Sequence, residues 1–257
     1  MKQVYIINEN HPQLLLFFAG WAADETPFKQ YRPKDMDYMI CYDYRTLDFD
    51  YSIFDRYRQV NVVAWSMGVW MGSLILSQVS RDKVFSLAFN GTTYPIDNLE
   101  GIPVNTFQAT LDGLTPATLQ KFLRRMCKDS NAYKAFMEVT PRRDFDEIKE
   151  ELRLILERYF DLFGDANNKS YDKEKEDKYE ANIEKYNYEY NYAFIGKHAR
   201  IFPPENMEMN FCDLIDCHPV LTDNAHYDES MFRFLQQDMR EMTVSEFRYH
   251  VKTINIE

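Results

Sequence analysis

A chain of 257 residues, 45% of them hydrophobic, carries enough apolar material for a full buried core. One α/β domain with a helical insertion fits that length. The formal net charge of -11 creates an average field that repels polyanions, which excludes general nucleic-acid binding.

The opening MKQVYIINENHPQ lacks the apolar stretch of a signal peptide. No later run approaches the ~20 apolar residues of a membrane helix, so the expectation is a soluble, cytoplasmic monomer that engages no membrane. Cys41, Cys127, Cys212 and Cys217 form no CxxC pair, so they read as reduced thiols rather than metal or redox ligands. Neither a metal nor an organic cofactor is indicated.

In chain order, the first clear element is QLLLFFA (13–19), a wholly apolar run stopped by Gly20. Such a run suits a strand buried on both faces of a parallel sheet. YMICY (38–42), VNVVAW (60–65) and VFSLAF (84–89) share that character, and VWMGSLILSQV (69–79) between the last two reads as a helix packed on the sheet. Strand, helix and strand in succession imply a right-handed crossover.

From Leu114 to Tyr190 the text changes to charged segments with apolar residues at helical spacing, such as TPATLQKFLRRMC and FDEIKEELRLILERYFDLF. Thr115 followed by Pro116 is a helix start, since the hydroxyl caps free N–H groups and proline is tolerated at the first position. The Lys/Glu/Tyr-rich stretch 171–192 reads as a solvated helix. Strand character returns at YAFIG (192–196) and HPVLT (218–222), and SMFRFLQQDM follows as an amphipathic helix. The resulting division is a core of 1–113 and 191–257 with a helical lid at 114–190.

Between strand and helix stands Ala64-Trp65-Ser66-Met67-Gly68, one residue away from G-x-S-x-G. A sharp turn of this kind holds the serine in strained backbone and needs small residues two positions to either side. The following helix aims its free N–H groups at the serine, where negative charge develops in acyl transfer. After the first buried strand, Phe18-Ala19-Gly20-Trp21 occupies the place of an oxyanion loop. The pattern predicts an α/β-hydrolase fold, a mostly parallel sheet flanked by helices with an inserted helical lid. Ser66 is then the nucleophile, and the N–H groups of Trp21 and Met67 form the oxyanion hole.

Of five histidines, His226 in Asp223-Asn224-Ala225-His226-Tyr227 follows the candidate last strand and fits the chain order serine, acid, histidine. The acid is absent from its usual place. In Gly196-Lys197-His198-Ala199-Arg200-Ile201-Phe202-Pro203, alanine stands where aspartate is expected. Asp97, in the loop after the strand ending near Asn90, is the substitute proposed from sequence, with Asp223 and Asp112 as lesser candidates.

FFAGW, ICYDY, VAWSMGVW, FNGTTYPIDNLEGIP, LT followed by KFLRRMC, RDFDEIKEEL, RIFPPEN and AHY, in that order, resemble the BioG-type pimeloyl-[acyl-carrier protein] methyl ester esterases. The likeness runs from about residue 13 to 235; Ala199 and the longer segment at 165–190 depart from the family pattern. The resemblance implies hydrolysis, in biotin synthesis, of the methyl ester that masks a pimeloyl chain on acyl carrier protein. Lys121 to Arg143 holds seven basic and two acidic residues, a local +5 in an acidic chain. Arg124, Arg125, Arg142 and Arg143 are therefore the expected contacts to the acidic carrier and its phosphate. Two rival readings stand beside this one: a small-molecule carboxylesterase or thioesterase, and a non-catalytic binding protein on a hydrolase scaffold.

Overall fold

The structure is a computed structural model that describes residues 1–164, 173–212 and 214–233. Its sheet comprises β1 (Lys2–Ile7), β2 (Gln13–Phe18), β3 (Asp37–Tyr42), β4 (Gln59–Trp65), β5 (Val84–Phe89), β6 (Tyr192–His198) and β7 (His218–Ala225), in spatial order β1-β3-β2-β4-β5-β6-β7. β1 runs antiparallel to β3, and every other pairing is parallel.

The interior strands form for the reason their composition suggests. Leu14 through Phe18 are completely buried, and β3 is buried along its whole length, as expected where helices cover both faces. β1 has no counterpart among the sequence expectations. It is a half-exposed edge strand, so KQVYII shows neither a continuous apolar run nor a clean alternation.

α1 (Ile53–Arg56) precedes β4, and α2 (Met67–Leu76) follows it and packs on β2 and β4. All ten residues of α2 are buried, which an apolar surface on every side requires. Between β5 and β6 stand α3 (Val104–Asp112), α4 (Pro116–Met126), α5 (Ser130–Glu138), α6 (Phe145–Phe163) and α7 (Lys173–Tyr186). Helix therefore begins ahead of the expected boundary at 114. In α3 only Val104 and Phe107 are buried, too few to mark the segment in sequence.

Thr115 caps α4 as expected: its Oγ1 accepts the Thr118 N–H at 3.2 Å, and Thr118 Oγ1 accepts the Thr115 N–H at 2.8 Å. α7 is joined to α6 by the Asn182 amide, which donates to the Leu162 carbonyl at 2.9 Å. α8 (Pro204–Cys212) packs on β6 and β7, and α9 (Glu229–Arg233) closes the described chain. The remainder of the expected final helix lies outside the described residues, as does the stretch 165–172. Among the described residues no helix is long and apolar enough to cross a membrane.

Candidate active site

Ser66 sits at the junction of β4 and α2 with φ 58° and ψ -128°, a left-handed backbone uncommon for any residue but glycine, asparagine or aspartate. Close packing enforces the turn. A Cβ at Gly68 would fall 2.2 Å from the Phe18 carbonyl oxygen, and one at Gly91 would fall 2.1 Å from the Ser66 carbonyl oxygen. Ala64 is fully buried, consistent with the need for a small residue there.

His226 follows β7 in a loop and is completely buried. Its Nε2 lies 2.9 Å from Ser66 Oγ, within direct proton-transfer reach. The ring stacks on Phe202, with centroids 6.0 Å apart and planes inclined by 13°. Burial, reinforced by the charge of Arg125, holds the imidazole pKa down at about 3. The ring is therefore neutral at physiological pH, and in the tautomer that carries its proton on Nδ1 the Nε2 lone pair accepts the serine proton.

Trp21, Ser66 and Met67 line one pocket, walled by Ile102, Phe107, Phe122 and Leu152 and reached by Arg125. α3, α4 and α6 thus roof the serine. The N–H groups of Trp21 and Met67 are taken up by no other acceptor among the described residues. Met67 is the first residue of α2, where helical geometry leaves the N–H free. The Trp21 ring is anchored separately, its Nε1 donating to the Ile148 carbonyl of α6 at 2.9 Å.

The acid proposed from sequence is corrected. Asp97 Oδ1 accepts the N–H groups of Leu99 at 2.7 Å and Glu100 at 2.9 Å, so its carboxylate closes its own turn. Asp223 pairs with His198 at 2.9 Å on the surface, and Asp112 accepts from the Gln108 amide at 2.8 Å. Ala199 is buried and contributes no polar side chain. His226 Nδ1 has no hydrogen-bond partner among the described residues.

The arginine set divides. Arg124, Arg125 and Arg142 are exposed, and the Arg124 guanidinium reaches the Ser130 hydroxyl at 3.4 Å. Arg143 does not belong with them: its side chain is 4% exposed and pairs with Glu151 at 2.6 Å and Asp43 at 3.1 Å. Glu151, completely buried on α6, also accepts the Tyr44 N–H at 2.7 Å and the Ala22 N–H at 3.4 Å. Arg143 is thus a structural cation that joins α6 to the loops after β2 and β3. Sequence could not separate it from its neighbour, because Asp43 is remote in the chain and Glu151, though near in sequence, is buried by its contacts with the loops after β2 and β3.

Sequence reasoning also missed what holds His226. Its carbonyl accepts from Trp65 Nε1 at 2.9 Å and from Asn90 Nδ2 at 3.0 Å. The Asn90-Gly91 dipeptide at a strand end was the available signal, since Asn-Gly marks turns with positive φ.

A mostly parallel sheet, a serine on a strained strand-to-helix turn and a histidine directly after β7 define an α/β-hydrolase fold. Solved structures agree: an esterase from Exiguobacterium antarcticum superposes with TM-score 0.61 over 98% of this chain and 92% of its own, at 11% identity. The likeness extends to a family. The model described as "Pimeloyl-ACP methyl esterase BioG" matches residues 1–170, and the chain belongs to the BioG family.

The crystal structure of BioG from Haemophilus influenzae superposes with TM-score 0.74 at 29% identity, covering 91% of this chain and 97% of that one. A curated relative from Bacteroides fragilis, named "Malonyl-[acyl-carrier protein] O-methyltransferase", is 42% identical over 224 residues, or 86% of this chain. An uncharacterized protein of Haemophilus influenzae is 39% identical over 143 residues, or 55% of this chain. The chain spans 41% of the first curated relative's length and 65% of the second's.

Proposed function

We propose that this protein hydrolyses the methyl ester of a pimeloyl chain carried on acyl carrier protein, with Ser66 as nucleophile and His226 as its base. The observation that carries the reading is the 2.9 Å contact between Ser66 Oγ and His226 Nε2, inside an apolar pocket roofed by helices that bear exposed arginines.

Ser66 Oγ attacks the ester carbonyl while its proton passes to Nε2, and the carbonyl oxygen becomes an oxyanion. The Trp21 and Met67 N–H groups receive that charge, with the positive end of α2 behind Met67. Collapse of the tetrahedral species returns the proton to the departing methoxide, and methanol leaves. Water, deprotonated by the same imidazole, attacks the acyl-enzyme and releases the free carboxylate. With no carboxylate on Nδ1 among the described residues, the pair works as a dyad that relies heavily on the oxyanion hole.

The Bacteroides relative supports both the carrier and the methyl ester. Its name describes formation of the bond that this site would break, on a chain borne by acyl carrier protein. The helices at 114–190, with α3, serve as the lid, and Lys121, Arg124, Arg125, Lys128 and Arg142 supply an exposed basic surface for the acidic carrier.

Methanol release from pimeloyl-carrier methyl ester, measured beside the free methyl ester, tests this reading. The carrier-borne substrate is expected to be preferred. Raising ionic strength, or making Arg124→Glu, Arg125→Glu and Arg142→Glu together, is expected to lower its kcat/KM by on the order of 10-fold or more. Equal, salt-independent rates on the two esters would favour the small-molecule carboxylesterase.

The pH profile has a definite sign. The base is neutral above about pH 3, so kcat/KM is expected to hold its plateau from pH 7 down to about pH 5, without the acid limb near 6.5 of an unperturbed histidine. Stability moves the other way. The unfolded state takes up the proton first, so the stabilising contribution of a neutral His226 is full above pH 6.5 and declines as pH falls toward about 3. Urea midpoints measured across that range check it.

A further inference from the structure

We infer that Asn90 is a positioning residue that sets His226 against Ser66 from the backbone side, doing part of the work that a triad acid does through Nδ1. The inference rests on the reading of Ser66 and His226 as a hydrolytic pair.

Asn90 terminates β5 with φ 46°, and it is 1% exposed. Its side-chain amide donates to two consecutive carbonyls, Ala225 at 2.9 Å and His226 at 3.0 Å. Its Oδ1 accepts the Gly196 N–H at 2.7 Å, and its own N–H donates to the Phe194 carbonyl at 3.0 Å. One side chain therefore binds the ends of β6 and β7 to the end of β5, with its amide nitrogen closest to the two carbonyls at the start of the histidine loop and Met231 Sδ farther off at 3.6 Å.

The same turn also registers the serine. The Ser66 N–H donates to the Phe89 carbonyl at 2.9 Å, and Gly91 packs so closely on the Ser66 carbonyl that no Cβ fits. Phe89, Asn90 and Gly91 thus touch the backbone of both members of the pair, which lie 160 residues apart in sequence. In a complete triad a carboxylate on Nδ1 fixes the ring's orientation. Here Nδ1 has no partner among the described residues, and the ring is located by its carbonyl, held by Asn90 and Trp65, and by stacking on Phe202. Small misplacements of a catalytic group cost large factors in rate.

Asn90→Asp keeps the shape and tolerates the left-handed backbone but removes the paired donors; Asn90→Gly accepts the backbone and removes the side chain. Both are compared with wild type and Ser66→Ala on 4-nitrophenyl acetate and in the rate of fluorophosphonate labelling, with circular dichroism reporting the fold. The expected result is a folded variant whose kcat falls at least 10-fold with KM within about twofold, and whose Ser66 labels proportionately more slowly. A folded variant with wild-type kcat, or one in which KM alone changes, overturns the inference. Failure of both variants to fold overturns it as well, by making Asn90 a purely structural residue. Absence of Ser66-dependent turnover in the wild type removes the hydrolase reading and this inference together, whereas normal turnover in the variants removes the inference alone.

Discussion

Ser66→Ala is expected to lower kcat for ester hydrolysis by at least about 10²-fold with little change in KM. The size follows from the absence of a carboxylate on His226 Nδ1 among the described residues. Where a full serine triad is worth about 10⁶ in kcat and loss of its acid alone costs about 10⁴, roughly 10² is left for serine and histidine acting together. Because Asn90, Trp65 and Phe202 hold His226 in place, the loss should exceed that floor. His226→Ala should cost about as much as Ser66→Ala, and the double variant little more than either, since the two side chains serve one proton transfer. Additive losses would contradict a shared step, and steady-state kinetics on the four proteins decides.

Arg143→Met is expected to destabilise the fold by about 3–5 kcal/mol, the usual cost of stripping one partner from a buried ion pair. The guanidinium is 4% exposed and Glu151 is completely buried, so solvent screens little of the interaction, and the carboxylate left behind is unpaired. For a chain of this length the loss corresponds to a fall in Tm on the order of 10 °C, which calorimetry reads directly. Glu151→Leu added to Arg143→Met should recover part of that loss by removing the stranded charge. Recovery stays incomplete, because Glu151 also accepts the N–H groups of Tyr44 and Ala22, and each buried donor left unsatisfied costs about 1–3 kcal/mol. A surface arginine in the same position would leave Tm almost unmoved. The thermal transition therefore separates Arg143 from Arg124, Arg125 and Arg142.

What sequence revealed was whatever depends on local chemistry. The apolar runs of β2 to β5 read as buried strands because both faces are covered. The serine turn read correctly because its small residues stand within two positions of it. Thr115 read as a cap because its partner Thr118 is one turn away.

What escaped depends on contacts distant in the chain. β1 is paired on one side only and half exposed, so its composition resembles a surface segment. Arg143 looks like Arg142 until Asp43 and Glu151 close around it. Asp97 is the local exception: it lies in the loop after β5, a place that suits an acid, yet the N–H groups of Leu99 and Glu100 claim its carboxylate. Asn90 acts through carbonyls more than 130 residues away; the Asn90-Gly91 pair marks a turn but not those partners.

The most direct test of the central claim is reaction of the purified protein with a fluorophosphonate, followed by mass spectrometry of its peptides. The predicted result is a single stoichiometric adduct on Ser66, greatly diminished when His226 is replaced by alanine. A wild-type Ser66 that stays unmodified at pH 7, or one that labels equally well without His226, would contradict the account and favour a binding protein on a hydrolase scaffold.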